Sequence, residues 1–211
     1  MCFVNCSVTS LVLLNPNAHI HWSHFRDTAG SLLSLTHLTI GVYFVLTLLP
    51  DGFESTINFP VLHSLRIHVR GHTPYPDQFL LGISAPSLKL LALKGMPSED
   101  PNDFCVDGAK LQELDKFPCL LSLTLLDSNM YYGVSQETWT SFYNMFPHIT
   151  HLAFDHVQIQ ETSLDPCVAA MVSNSTNSDT TKPLILPELH TLLFGKMHLF
   201  SINFLSNLVS T

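Results

Sequence analysis

One phrase, Pro-x-Leu-x-x-Leu-x-Leu, with an occasional Ile or Phe in place of Leu, returns five times along the 211 residues and sets the terms on which the chain can fold. It reads Pro60-Val-Leu62-His-Ser-Leu65-Arg-Ile67, Pro86-Ser-Leu88-Lys-Leu-Leu91-Ala-Leu93, Pro118-Cys-Leu120-Leu-Ser-Leu123-Thr-Leu125, Pro147-His-Ile149-Thr-His-Leu152-Ala-Phe154 and Pro187-Glu-Leu189-His-Thr-Leu192-Leu-Phe194. Two earlier copies, on Val8, Leu11, Leu13 and on Leu35, Leu38, Ile40, lack the proline. From copy to copy the first apolar position advances by about 27, 27, 26, 32, 29 and 40 residues. A period of this size marks units that bury their apolar face by stacking on their neighbours.

The spacing inside each copy has a physical reading. The last two apolar residues are two apart, so in an extended segment both point to one side while the residues between them face the other way. The first apolar residue enters the same core from the preceding turn. Proline suits the position before the strand, because its fixed φ and missing N–H stop a helix arriving from upstream. Phe59, Ala85, Phe117, Phe146 and Leu186 come just before it.

Between the strands the apolar period changes to that of a helix. Trp139, Phe142, Met145 and Phe146 form one stripe behind a Ser135 N-cap, and Leu111, Leu114 and Phe117 form another behind Asp107. Phe79, Leu80 and Ile83 predict a shorter helix behind Asp77, Val42 to Leu49 a helix after the second strand, and Leu199, Ile202, Leu205 and Leu208 a stripe after the last. The expected fold is α/β: an irregular leucine-rich repeat solenoid of about seven strand-turn-helix units, with a parallel concave sheet and helices on the convex side. Residues 1–211 are expected to form this single array, with a polar loop insert near 163–183 that is too poor in apolar residues to order itself by burial.

Composition narrows the function classes. Charged residues are 12% of the chain and the formal charge is −8, which argues against a nucleic-acid partner, since that would need a basic footprint. Twelve histidines would erode the negative charge below about pH 6.5. Five cysteines, with no Cys-x-x-Cys pair, point to a reduced setting, cytoplasmic or nuclear. Leu32 to Pro50 carries no Asp, Glu, Lys or Arg, a length close to a membrane span, but Leu35, Leu38 and Ile40 keep the phase of the repeat and explain the same residues without a membrane.

Alternation assigns three outward rows: Ser10, His37, Ser64, Leu90, Ser122, His151, Thr191; then Val12, Thr39, Arg66, Ala92, Thr124, Ala153, Leu193; then Leu14, Gly41, His68, Lys94, Leu126, Asp155, Gly195. From these, His37, Arg66, His68, Lys94, Thr124, His151 and Asp155 are the candidate partner-binding residues. Arg66, His68 and Lys94 make a small basic centre on an acidic chain, suited to an acidic or phosphorylated partner. The competing reading of these positions is a solvated sheet face. No catalytic signature is present: no Gly-x-Ser-x-Gly, phosphate-binding glycine loop, His-Glu-x-x-His or dinucleotide fingerprint. The chain is therefore expected to be no enzyme and to use no cofactor. His19, His21 and His24 are the best metal candidates, yet with Asp27 as the one nearby carboxylate they read better as a polar segment between units, and no metal is expected.

The Phe-Pro-x-Leu-x-x-Leu-x-Leu and Ala-Pro-x-Leu-Lys-x-Leu-x-Leu phrases, at this spacing, resemble the leucine-rich repeat region of fungal F-box proteins. The resemblance runs from about Val8 to Val209. It implies a non-catalytic protein-binding scaffold that selects substrates for a cullin-type ubiquitin ligase. The first copy begins near Val8, which leaves no room for an F-box, so the adaptor role is expected for a longer form that carries one. The chain departs from the repeat class in lacking a closing asparagine: Pro16, Tyr43, Arg70, Met96, Ser128, Val157 and Met197 stand at that place, and irregular turns are expected. The alternative is a truncated or remnant repeat protein without activity of its own, since Leu199 to Leu208 ends at Thr211 without a polar cap. Metal-binding and membrane-associated readings rest on the His19 cluster and on Leu32 to Pro50.

Overall fold

A computed structural model describes residues 7–14, 22–41, 56–69, 76–95, 116–130, 135–159, 167, 186 and 188–195. Seven strands form one open, parallel sheet: β1 (Ser10–Leu13), β2 (His37–Gly41), β4 (Ser64–His68), β6 (Leu90–Lys94), β7 (Ser122–Leu126), β9 (His151–Asp155) and β11 (Thr191–Phe194). Their spatial order is their order along the chain. Two short parallel ladders accompany it, β3 (Ile57–Asn58) with β5 (Ile83–Ser84) and β8 (Asn129–Met130) with β10 (Gln158–Ile159). The helices are α1 (Trp22–Ala29), α2 (Pro76–Leu81) and α3 (Gln136–Asn144). The class is α/β.

Register follows the repeat without a slip. Leu11, Leu38, Leu65, Leu91, Leu123, Leu152 and Leu192 line up across the sheet, as do Leu13, Ile40, Ile67, Leu93, Leu125, Phe154 and Phe194. From β2 to β9 all of these are buried, and those of β1 and β11 are partly buried against the same core. A one-residue slip would turn each row to the opposite face, so the apolar pattern itself fixes the pairing.

Proline acts here as a turn residue. The N–H of Leu62, Leu88, Leu120 and Ile149 donates to the carbonyl of Phe59, Ala85, Phe117 and Phe146, closing four-residue turns with proline second, where its φ is already correct. Leu35 N–H closes the same turn on Leu32 with Leu33 in proline's place, so proline biases the turn without being required for it. In two copies β3 and β5, and not a helix, lead into the turn. Helix α3 arrives before Phe146 as expected, and α1 leads into the turn at Leu32.

Strands are joined by a repeated hydrogen-bond device. The carbonyls of Thr9, Thr36, His63, Lys89, Leu121 and Thr150 each accept from two consecutive N–H groups at the next strand's start. At the other end, the residue after the strand turns left-handed in three successive units: Gly95 (φ 74°), Asp127 (φ 44°) and His156 (φ 53°). The N–H of Gly95 and of Asp127 donates across to the Leu126 and Asp155 carbonyls.

Helix α3 forms as read. Ser135 Oγ accepts from Thr138 N–H at 3.2 Å, a cap worth about 1 kcal/mol. Trp139, Phe142, Met145 and Phe146 are buried, and Trp139 meets Phe154 edge-on with ring centroids 6.2 Å apart, which sets α3 on the inward side of β9. Helix α2 stops at Leu81; Ile83, expected on it, belongs to β5. Lys116 Nζ donates to the Leu81 carbonyl at the end of α2, and burial lowers the lysine's proton affinity. The segment read as a polar stretch between units is helical from Trp22 onward: Trp22, Phe25 and Ala29 are buried, and the first two rings pack on Phe79 of α2. The helices expected behind Asp107 and over Val42 to Leu49, the stripe from Leu199 to Leu208, and the polar stretch 163–183 apart from Cys167 lie outside the described residues.

Candidate partner-binding face

The sheet face opposite the core carries the three outward rows in register. His37 pairs with Ser64, Thr39 with Arg66 and Gly41 with His68; Arg66 pairs with Ala92, His68 with Lys94, Ala92 with Thr124, and Thr124 with Ala153. Adjacent strands are ~4.8 Å apart, so Arg66, His68 and Lys94 form one cluster over two strands. Thr124 sits two strands from Arg66. Asp155 sits two strands from Lys94, across Leu126. His37 and His151 lie on β2 and β9, four strand spacings or ~19 Å apart, and do not belong to one small site.

The cluster is not simply basic. Lys94 Nζ lies 2.9 Å from Asp127 Oδ2, a half-exposed pair. The hydrogen bond from Lys94 holds the Asp127 carboxyl below the usual carboxylate range, helped by the charges of Lys94, His156 and His68. Partial burial pushes the His68 imidazole down, and Lys94 and then Arg66 push it the same way against Asp127. His68 Nε2 is shielded from solvent and, among the described residues, has no hydrogen-bond partner. Asp155 lies beside His156, 4.0 Å from Oδ1 to Nε2. Strand alternation could not find Asp127, which stands one residue past β7 where the chain leaves the strand. Its signal is chemical, since Asp and Asn are among the few side-chain residues that tolerate left-handed backbone.

At the opposite end of the strands, a Thr-His pair occurs twice in equivalent places. Thr36 Oγ1 donates to the Thr9 carbonyl at 2.9 Å and meets His37 Nδ1 at 2.8 Å. Thr150 Oγ1 donates to the Leu121 carbonyl at 3.2 Å and meets His151 Nδ1 at 2.7 Å. A hydroxyl has one hydrogen to give, so each Nδ1 is the donor to its threonine. His148 Nδ1 lies 3.5 Å from Glu188 Oε1.

Of the two described cysteines, Cys119 is exposed and Cys167 is held by packing. Cys167 Sγ is 3.0 Å from the Tyr143 hydroxyl, and burial raises the thiol to about 12, so no thiolate is available there. Among the described residues no three His, Cys, Asp or Glu side chains are placed to hold a metal ion; His19 and His21 lie outside those residues. Among the described residues, too, no helix is long and apolar enough to cross a membrane, and His37 to Gly41 of the Leu32 to Pro50 segment form β2. No family model, curated protein or solved structure matches the chain significantly.

Proposed function

We propose that the chain is a leucine-rich repeat solenoid of about seven units that acts as a non-catalytic protein-binding scaffold in the cytoplasm or nucleus. Its open sheet face takes a partner protein bearing acidic or phosphorylated side chains. In a longer form carrying an F-box, it is the substrate-recognition region of a ubiquitin-ligase adaptor. The observation that carries this reading is the sheet itself: strands parallel and in chain order, one face committed to a continuous core and the other displaying three rows of side chains in register. Rows of this kind offer one addressable position per strand, and Arg66 with Lys94 gives the acidic chain a local site of opposite sign.

The test is charge reversal at that site. Arg66→Glu combined with Lys94→Glu, both on the outward face, is expected to fold and to weaken binding of partners captured by the wild-type chain by tenfold or more, as measured with the purified partner by calorimetry. Unchanged affinity in the double variant would remove the site from the reading.

A further inference from the structure

The carboxylate nearest to Lys94 belongs to the protein itself. Asp127 is brought to the rim by left-handed backbone just after β7, and it reaches back across the strand to Lys94 of β6. Arg66 and His68 stand two apart on β4 and so share the outward face, with His68 beside Lys94. The result is an imidazole and an ammonium side by side at the ends of two adjacent strands, with a guanidinium two residues back in mid-β4, a carboxylate on the ammonium, and an imidazole nitrogen, His68 Nε2, that is shielded and without a partner among the described residues. Resting on the partner-binding reading above, we propose that this end of β4 and β6 is a seat for a phosphoryl group on the partner protein, and that Asp127 fills the seat as an internal counter-ion until the phosphoryl group displaces it.

The chemistry favours exchange. A carboxylate offers one negative charge, whereas a phosphoryl group offers nearly two and three acceptor oxygens, enough to engage Arg66 and Lys94 together beside His68. Both members of the Lys94–Asp127 pair are about half exposed, 41% and 48%, so breaking it costs little. Asp155, two strands from Lys94 and 4.0 Å from His156, borders the seat with a further carboxylate.

Asp127→Asn isolates the competitor. Asparagine accepts left-handed backbone at least as well as aspartate, so the turn after β7 survives while the charge is lost. The probes are inorganic phosphate, a short phosphoserine peptide and the same peptide without phosphate, followed through the His68 ring signals by NMR at pH 7. Asp127→Asn is expected to bind both phosphate probes about five- to tenfold more tightly than the wild type, and Lys94→Met to bind them more weakly. The phosphopeptide is expected to bind more tightly than inorganic phosphate. Equal affinities in wild type and Asp127→Asn, with Lys94→Met weakened, would overturn the role of Asp127 and leave the cationic site standing. Preference for inorganic phosphate would overturn a phosphorylated partner as its source. No response of His68 to any probe would overturn the seat, while the charge-reversal experiment would still decide the broader reading.

Discussion

Leu123→Asp is expected to leave the chain unfolded without denaturant, whereas Thr124→Asp, one residue on, changes stability by about 1 kcal/mol or less. The contrast rests on alternation in β7, which has β6 on one side and β9 on the other. Leu123 is fully buried between Leu91 and Leu152, while Thr124 faces outward between the small residues Ala92 and Ala153. A carboxylate at Leu123 would lose a leucine's packing and sit uncompensated in an apolar row. The two effects together exceed about 5 kcal/mol, comparable with the whole stability of a domain. At Thr124 the same carboxylate stays in water and costs little beyond strand propensity. Tryptophan emission reports the difference, because Trp22 and Trp139 are both buried: the first variant should emit as unfolded chain, the second as wild type with a slightly lower urea midpoint. Equal sensitivity at the two positions would mean that the faces are assigned wrongly.

The next largest effect is expected at Gly95. This residue leaves β6 with φ +74°, and a Cβ there would come within 2.5 Å of the Val69 carbonyl oxygen. Left-handed backbone costs an alanine about 1 kcal/mol more than a glycine, and the clash is with backbone, which cannot rotate away. Relief requires β4 and β6 to part where Val69 N–H donates to the Lys94 carbonyl at 2.7 Å. Gly95→Ala is therefore expected to lose roughly 2–3 kcal/mol in urea unfolding. Since Lys94 is the adjacent residue, the same variant should also loosen the Lys94–Asp127 pair and weaken partner binding. A loss below about 0.5 kcal/mol would contradict the turn geometry.

What the sequence made legible was what strict periodicity encodes. Leu-x-x-Leu-x-Leu places each main strand, its inward residues and its outward rows, because a two-residue period has one geometric solution at each position. Ser135 and the Trp139 stripe were legible for the same reason, with a cap before a helical period. The paired dipeptides Ile57–Asn58 with Ile83–Ser84, and Asn129–Met130 with Gln158–Ile159, were not, since two residues carry no period and their pairing is imposed by units already stacked. Helix α1 had a signal in Trp22, Phe25 and Ala29, at i, i+3 and i+7, inside the stretch whose histidines read as a polar segment between units. At the candidate site, Arg66, His68 and Lys94 follow from alternation. Asp127 does not, because its position depends on a backbone turn outside the strand, and it changes the site from a basic centre into a compensated one.

The central claim, that repeated units stack in chain order with parallel strands in register, is tested most directly by cysteine cross-linking across the outward middle row. Thr124→Cys combined with Ala92→Cys, and Thr124→Cys combined with Ala153→Cys, place two thiols on adjacent strands at register positions, within disulfide reach. Both pairs are expected to close under mild oxidation, as read by mass spectrometry of the digested chain, while Thr124→Cys with Thr39→Cys, three strands away, stays reduced. Closure of the Thr39 pair, or failure of both neighbouring pairs in a folded protein, would contradict the order and register of the sheet.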